Sequence, residues 1–223
     1  MRKGLLIVAA LAFLAALNGC TNWEQKYKDL DVEHQNLRGL YDNCEGALGS
    51  ASTERSQLSA QLSESQRTIE DLRRQIASGK TPGEATGFGP GMDVSVDTAR
   101  GTVTVSLSDT ILFSPGQASL KQNTVRELDQ VLGVIQERYA GKQIEVVGHT
   151  DSDPIRKTAK LWKDNWELSA ERSLTVLRYM VQRGIAPNQI RAVACGESRP
   201  RDSNSNAAGK SRNRRVEIVV SMR

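Results

Sequence analysis

From Trp23 onward, apolar residues recur at alternating spacings of four and three: Trp23, Tyr27, Leu30, Leu37, Tyr41, Cys44, Leu48, Ala51, Leu58, Leu62, Ile69, Leu72 and Ile76. Only His34, Arg55 and Ser65 interrupt the stripe with polar side chains. With Trp23 as d and Tyr27 as a, this is a heptad seam long enough to predict an α-helical coiled coil over 20–78. A helix of that length, if straight, runs about 80 Å at 1.5 Å per residue. Gly39, Gly46 and Gly49 each weaken it by about 1 kcal/mol relative to alanine. Gly46-Ala47-Leu48-Gly49 is an alternative hairpin turn, against which the unbroken heptad phase argues. A stripe this narrow is not buried by its own helix, so it implies a partner. No second heptad segment follows, and parallel self-association into a homo-oligomer is the simplest solution. It would set Cys44 against its copy at a d position, where an inter-chain disulfide is one outcome and a small apolar filler the other.

The pattern then breaks. Residues 79–92 are rich in Gly and Pro and predict a flexible linker. From 93 to 223 the periodicity alternates between two and 3.6. Val94 and Val96, then Val103, Val105 and Leu107, flank Ala99-Arg100-Gly101 as a hairpin. Leu128, Val131, Leu132, Ile135 and Tyr139 mark a helix closed by Gly141. Gln143 to Val147 is a short strand, and a second helix from about Trp166 to Arg183 has Asn165 as its cap. Ile190 to Ala194 and Arg215 to Met222 add two strands. The expected fold class is α+β, a two-layer α/β sandwich with helices on one face of a mixed sheet, preceded by the coiled coil.

Before all of this, Arg2 and Lys3 precede an apolar run from Leu5 to Leu17 that ends at Asn18-Gly19-Cys20. A basic start and about a dozen apolar residues form a secretory signal over 1–19, too short for a comfortable membrane span. Leu17-Asn18-Gly19-Cys20 resembles the lipobox of bacterial lipoproteins. That resemblance implies cleavage before Cys20, lipidation of its sulfur, and, with Thr21 following it, retention at the outer membrane, facing the periplasm.

Of 223 residues 38% are hydrophobic, which excludes a polytopic membrane protein. The net charge of +4 is too small to point to nucleic acid. It is also uneven, because residues 21–78 hold 7 Lys/Arg against 10 Asp/Glu. Two histidines and three cysteines leave little from which to build a metal site or a thiol enzyme. His149, Asp151 and Asp153 form a thin corner for zinc, which wants more imidazole or thiolate. His149 reads better as a hydrogen-bond partner that orients its loop. No catalytic residue, cofactor or metal is expected.

Five blocks follow in order: Ile111-Leu112-Phe113, Gly148-His149-Thr150-Asp151, Asn165 to Arg172, Gly196-Glu197-Ser198-Arg199-Pro200, and Asn213 to Ile218. Together they resemble the C-terminal peptidoglycan-binding domain of the outer membrane protein A family, a module also found in peptidoglycan-associated lipoprotein and in flagellar motor protein B. The resemblance implies non-covalent binding of the diaminopimelate in the peptidoglycan stem, with Asp151 taking the ammonium and Arg172 the carboxylate. Thr150, Asn165 and Leu168 match positions lining the pocket, and Arg214 a support from the last strand. The residues are consistent with that reading. Asp151 ends a strand beside a helix start, and the Arg172 fork can grip a carboxylate bidentately. A plain Asp151–Arg172 salt bridge tying strand to helix is the bland alternative.

Two features depart from the pattern. Residues 152–164 form a longer loop, closer to the flagellar motor form, in which Trp162 and Trp166 either anchor the loop or stack on a sugar. Cys195 stands where a small apolar residue would serve and reads as an inert buried thiol. A motor stator needs a membrane helix with an acidic residue, and residues 4–19 carry none. The expected function is a tether between outer membrane and cell wall, with an envelope scaffold or a flagellar-type wall anchor as the alternative.

Overall fold

The computed structural model describes residues 22–122 and 125–222. The expected signal sequence over 1–19 and the expected lipidation site Cys20 lie outside them. The chain divides into two units, residues 1–60 and 61–223. Helix α1 spans Trp23–Ala77 and runs without a break through Gly46 and Gly49, so the hairpin alternative is not adopted. Two side chains support that stretch: Ser50 Oγ and Thr53 Oγ1 donate to the Gly46 and Gly49 carbonyls at 3.0 Å. Every described residue of the first unit is exposed.

The second unit is built on a five-stranded sheet in the order β1-β2-β5-β3-β4, with β1 at Asp93–Asp97, β2 at Thr102–Ser108, β3 at Ile144–His149, β4 at Ile190–Gly196 and β5 at Arg215–Ser221. β3 and β4 pair in parallel and the other neighbours antiparallel, so the sheet is mixed. Alternation decides its buried face. Val103, Val105 and Leu107 of β2 and Val216, Ile218 and Val220 of β5 share one core with α4 (Val125–Arg138) and α5 (Asn165–Gln182). Three short helices complete the unit: α2 (Pro82–Thr86), α3 (Asp109–Leu112) and α6 (Ala207–Asn213). None of these was expected from periodicity, because four to seven residues are too few to display one.

The expected flexible linker over 79–92 is not what forms. Thr81 caps α2 with a reciprocal Thr81–Glu84 box, and Phe88 is fully buried, stacked on Tyr139 with ring centroids 5.8 Å apart. The Tyr139 hydroxyl donates to the Thr86 carbonyl at 2.9 Å. The end of α1 is likewise part of the core. Ser65 and Leu72 are buried, Ile76 packs on the same cluster, and Ser65 Oγ donates to the Met222 carbonyl at 2.7 Å. The last turns of the heptad seam therefore find their partner in their own chain. The compact unit begins near Gln61 rather than at residue 93. Phe88→Ala is expected to cost about 3 kcal/mol in urea unfolding of the full chain, where a true linker substitution would cost nothing measurable.

Candidate functional site

Three elements meet where β3 ends. Gly148 is the contact point with α5: a Cβ there would lie 2.1 Å from the Ser169 carbonyl oxygen, so only glycine allows this approach. Ser169 Oγ accepts from the Gly196 N–H at 3.0 Å, and the Gly196 carbonyl accepts from the Thr150 N–H at 2.9 Å. Strand, crossover helix and returning strand are thereby pinned together beneath Thr150 and Asp151.

The cap of α5 differs from expectation. Asp164, not Asn165, is the N-cap, its Oδ1 accepting from the Glu167 N–H at 2.9 Å, while Glu167 accepts from the Lys163 N–H. Asn165 is thus freed from capping. Buried as the first helical residue, it donates through Nδ2 to the Asp151 carbonyl (3.3 Å), the Asp153 carbonyl (3.0 Å) and Glu197 Oε2 (2.7 Å). It holds the start of the 152–164 loop against the helix. That loop forms a wall of the site through Pro154, Ile155, Arg156 and Thr158. Trp162 anchors the loop, its indole N–H donating to the Gly116 carbonyl at 2.8 Å. Trp166, half exposed, lies outside the cleft lining.

Asp151, Arg172, Asn165, Thr150, Leu168 and Arg214 all line one cleft of about 380 Å³. Their ion pairs are not the one the bland alternative required. Arg172 pairs with Asp109, Nη1 to Oδ2 at 3.0 Å, and Asp151 pairs with Arg214 at 2.5 Å. The Asp151–Arg172 salt bridge is not formed; Arg214 Nε instead stands 3.6 Å from Asp109 Oδ1 and joins the two pairs. Arg172, Asp109, Arg214 and Asp151 make a row of alternating sign whose charges cancel. Arg214 itself comes from the C-cap of α6, one residue before β5, rather than from the strand.

Arg172 is almost fully buried. Its Nε donates to the Gln117 carbonyl at 3.1 Å and its guanidinium lies 5.2 Å from the centre of the Phe113 ring. Burial pushes the Asp109 carboxyl above its ordinary value, and the neighbouring Arg172 and Arg214 only partly offset this. The buried Thr150 Oγ1 lines the cleft without a hydrogen-bond partner, and Asp109 Oδ1 likewise has ionic contact but no hydrogen bond. Asp109 was missed in the sequence. The available signal was an acid two residues ahead of the apolar block Ile111-Leu112-Phe113, where a carboxylate drawn into the core must find a cation.

His149 does not orient the loop as expected. Its ring is buried with Nε2 facing Glu217 Oε2 at 3.4 Å, and Glu217 also accepts from Arg215 Nε at 2.6 Å. Burial alone would raise the Glu217 carboxyl, but His149 and Arg215 outweigh it and hold the group at about 2. A carboxyl lowered from 4.5 contributes stability above pH 4.5, lost as pH falls from 4.5 through about 2. Glu217→Gln is expected to cost about 2 kcal/mol at pH 7, after discounting for partial exposure, and to flatten the unfolding profile between pH 4.5 and 2. Urea titrations at pH 7 and 3 check both. Cys195 is a free, buried thiol raised by that burial. No group of three or more His, Cys, Asp or Glu among the described residues is placed to hold a metal ion, and no described helix is long and apolar enough to cross a membrane.

Residues 112–214 match the model of the OmpA family. The crystal structure of a MotB-like protein from Desulfovibrio vulgaris superposes with a TM-score of 0.60 at 31% identity, covering 71% of this chain and 99% of that one. The probable lipoprotein YiaD of Escherichia coli is 31% identical over 59% of this chain and 57% of its own length. The peptidoglycan-associated lipoprotein of Pseudomonas aeruginosa is 28% identical over 63% of this chain and 83% of its own. The chain spans about half the length of several curated relatives it matches, 45% of one motility protein B and 48% of a Bacillus subtilis protein.

Proposed function

Because the chain belongs to the OmpA family through residues 112–214, we propose that its cleft binds peptidoglycan non-covalently, through the diaminopimelate of the stem peptide. The observation that carries this reading is the row of alternating charges along one cleft, with the unpaired Thr150 Oγ1 beside it. A diaminopimelate end bears an ammonium and a carboxylate on one carbon, so it is itself a neutral pair. It can dock on a neutral row without leaving excess charge buried. Asp151 takes the ammonium, and Arg214 shifts toward Asp109 and water as its partner is shared. Arg172 takes the carboxylate bidentately, its other side held by Asp109 and the Gln117 carbonyl. Thr150 Oγ1 supplies a further hydrogen bond. Nothing in this scheme breaks a covalent bond, and the module acts as a clasp rather than an enzyme.

In the finer form of this reading, Cys20 is acylated and seated in the outer membrane, and the chain fastens that membrane to the wall. The lipoprotein relatives support an envelope setting. The test is co-sedimentation of the full chain, in mild detergent, with diaminopimelate-type sacculi. The chain is expected in the pellet and is released by millimolar free diaminopimelate. A chain that stays in the supernatant, or a pellet indifferent to the competitor, contradicts the proposal.

A further inference from the structure

The heptad seam is used twice, in two different ways. Its last turns, at Ser65, Leu72 and Ile76, are covered by the chain's own core. Between Trp23 and Leu62 the seam is bare: Trp23, Tyr27, Leu30, Leu37, Tyr41, Leu48, Leu58 and Leu62 are between 56 and 73% exposed. A contiguous apolar stripe of this length marks an interaction surface. We propose that its occupant is a second copy of the same segment, parallel and in register, forming a two-stranded coiled coil that stops at Leu62.

Charge complementarity selects this occupant. With Trp23 as d, the g positions Lys26 and Glu33 stand five residues before the e positions Asp31 and Arg38. In a parallel, in-register pair, each g side chain meets the e side chain of the following heptad on the partner helix. Lys26 then meets Asp31, and Glu33 meets Arg38, each pair occurring twice by symmetry. The remaining g-to-e pairs, Leu40 with Glu45, Ala47 with Ser52 and Glu54 with Ser59, have at most one charged member each, and none is repulsive. A spacing of five does not bring side chains together on one helix, so these pairs are satisfied only between chains. The charged a position, Arg55, follows Glu54, placed to offset the charge brought into the seam. Register also sets Cys44 opposite Cys44, and seam Cα atoms of close-packed helices fall within the 4.4–6.8 Å that a disulfide requires.

The test uses the full chain in detergent. Sedimentation equilibrium is expected to give a dimer. Oxidised glutathione, the two-electron acceptor that leaves as two thiols, is expected to join the chains through Cys44 and not in Cys44→Ser. Cys195 is buried and does not substitute for it, and Cys20 is replaced by serine in every chain compared. Glu33→Lys and Arg38→Glu alter exposed positions, and each is expected to weaken dimerisation about 10-fold, with the double swap restoring it. Leu30→Asp is expected to abolish the dimer without moving the unfolding of the second unit, whereas Leu72→Asp destabilises that unit. A monomer, a trimer or larger assembly, or a dimer that neither cross-links at Cys44 nor responds to the charge swaps overturns the proposal.

Discussion

Asp151→Asn is expected to lose peptidoglycan binding by about 100-fold while the chain stays folded. The magnitude follows from removing one partner of a charge-assisted contact in a largely desolvated cleft, which typically costs 2–5 kcal/mol. The fold survives because each contact of Asp151 has a replacement. Its Oδ1 accepts from the Asp153 N–H at 3.1 Å, a role the asparagine oxygen retains. Its carbonyl, which accepts from Asn165, is untouched. Arg214, left without its partner, keeps Asp109 nearby and is about a third exposed, so its charge reaches water. The stability change is therefore expected within about 1 kcal/mol. Sedimentation with sacculi beside a thermal unfolding curve of the same sample separates the two effects.

Arg172→Ala is expected to behave differently, losing both binding and about 3–5 kcal/mol of stability. The reason is Asp109. That carboxylate is buried, and Arg172 is its close partner at 3.0 Å, with Arg214 more distant at 3.6 Å. Removing the guanidinium strands a charge whose carboxyl burial already pushes upward. It also removes the packing over Phe113. In a chain of this size the loss corresponds to a fall in Tm of about 10 °C. The double variant Asp109→Leu with Arg172→Leu removes the stranded charge together with its partner and is expected to recover most of the stability. It does not recover binding. If the single variant unfolds like the wild type, the Asp109–Arg172 pair does not hold the site as described.

These two variants mark how far the sequence could be read. Strand and helix positions were legible because Val103, Val105 and Leu107, or Leu128, Val131, Leu132 and Ile135, repeat with the period of the element that buries them. The residues of the cleft were legible as ordered blocks. Which acid pairs with which base was not. Asp109, Asp151, Arg172 and Arg214 come from four separate segments, and only the fold decides that Arg172 reaches Asp109 and Arg214 reaches Asp151. The cap of α5 is ambiguous in the sequence for a related reason. Asp164 and Asn165 are adjacent residues equally suited to capping, and Asn165 is taken away by the carbonyls of Asp151 and Asp153 and by Glu197.

The segment 79–92 shows a different blind spot. Gly and Pro composition signals turns, and a turn can be as firmly packed as a helix. Phe88 was the contrary clue, an aromatic side chain with no apolar neighbour in sequence and a complete burial in the fold. The heptad seam is the converse case. Its period demands a cover from Trp23 to Ile76, but periodicity carries no information on whose surface supplies it. Over the last turns the cover is the chain's own core. A fragment beginning at residue 93 would lack both Phe88 and Leu72 and is unsuited to binding work.

The central claim is that the cleft recognises an ammonium and a carboxylate together, and it is tested most directly by changing only the ligand. The full chain would be sedimented with sacculi whose stems carry diaminopimelate and, in parallel, with sacculi whose stems carry lysine at that position. Lysine keeps the ammonium for Asp151 and lacks the carboxylate for Arg172. The account predicts that the chain pellets with the first and stays in the supernatant with the second. Equal pelleting with both would contradict it.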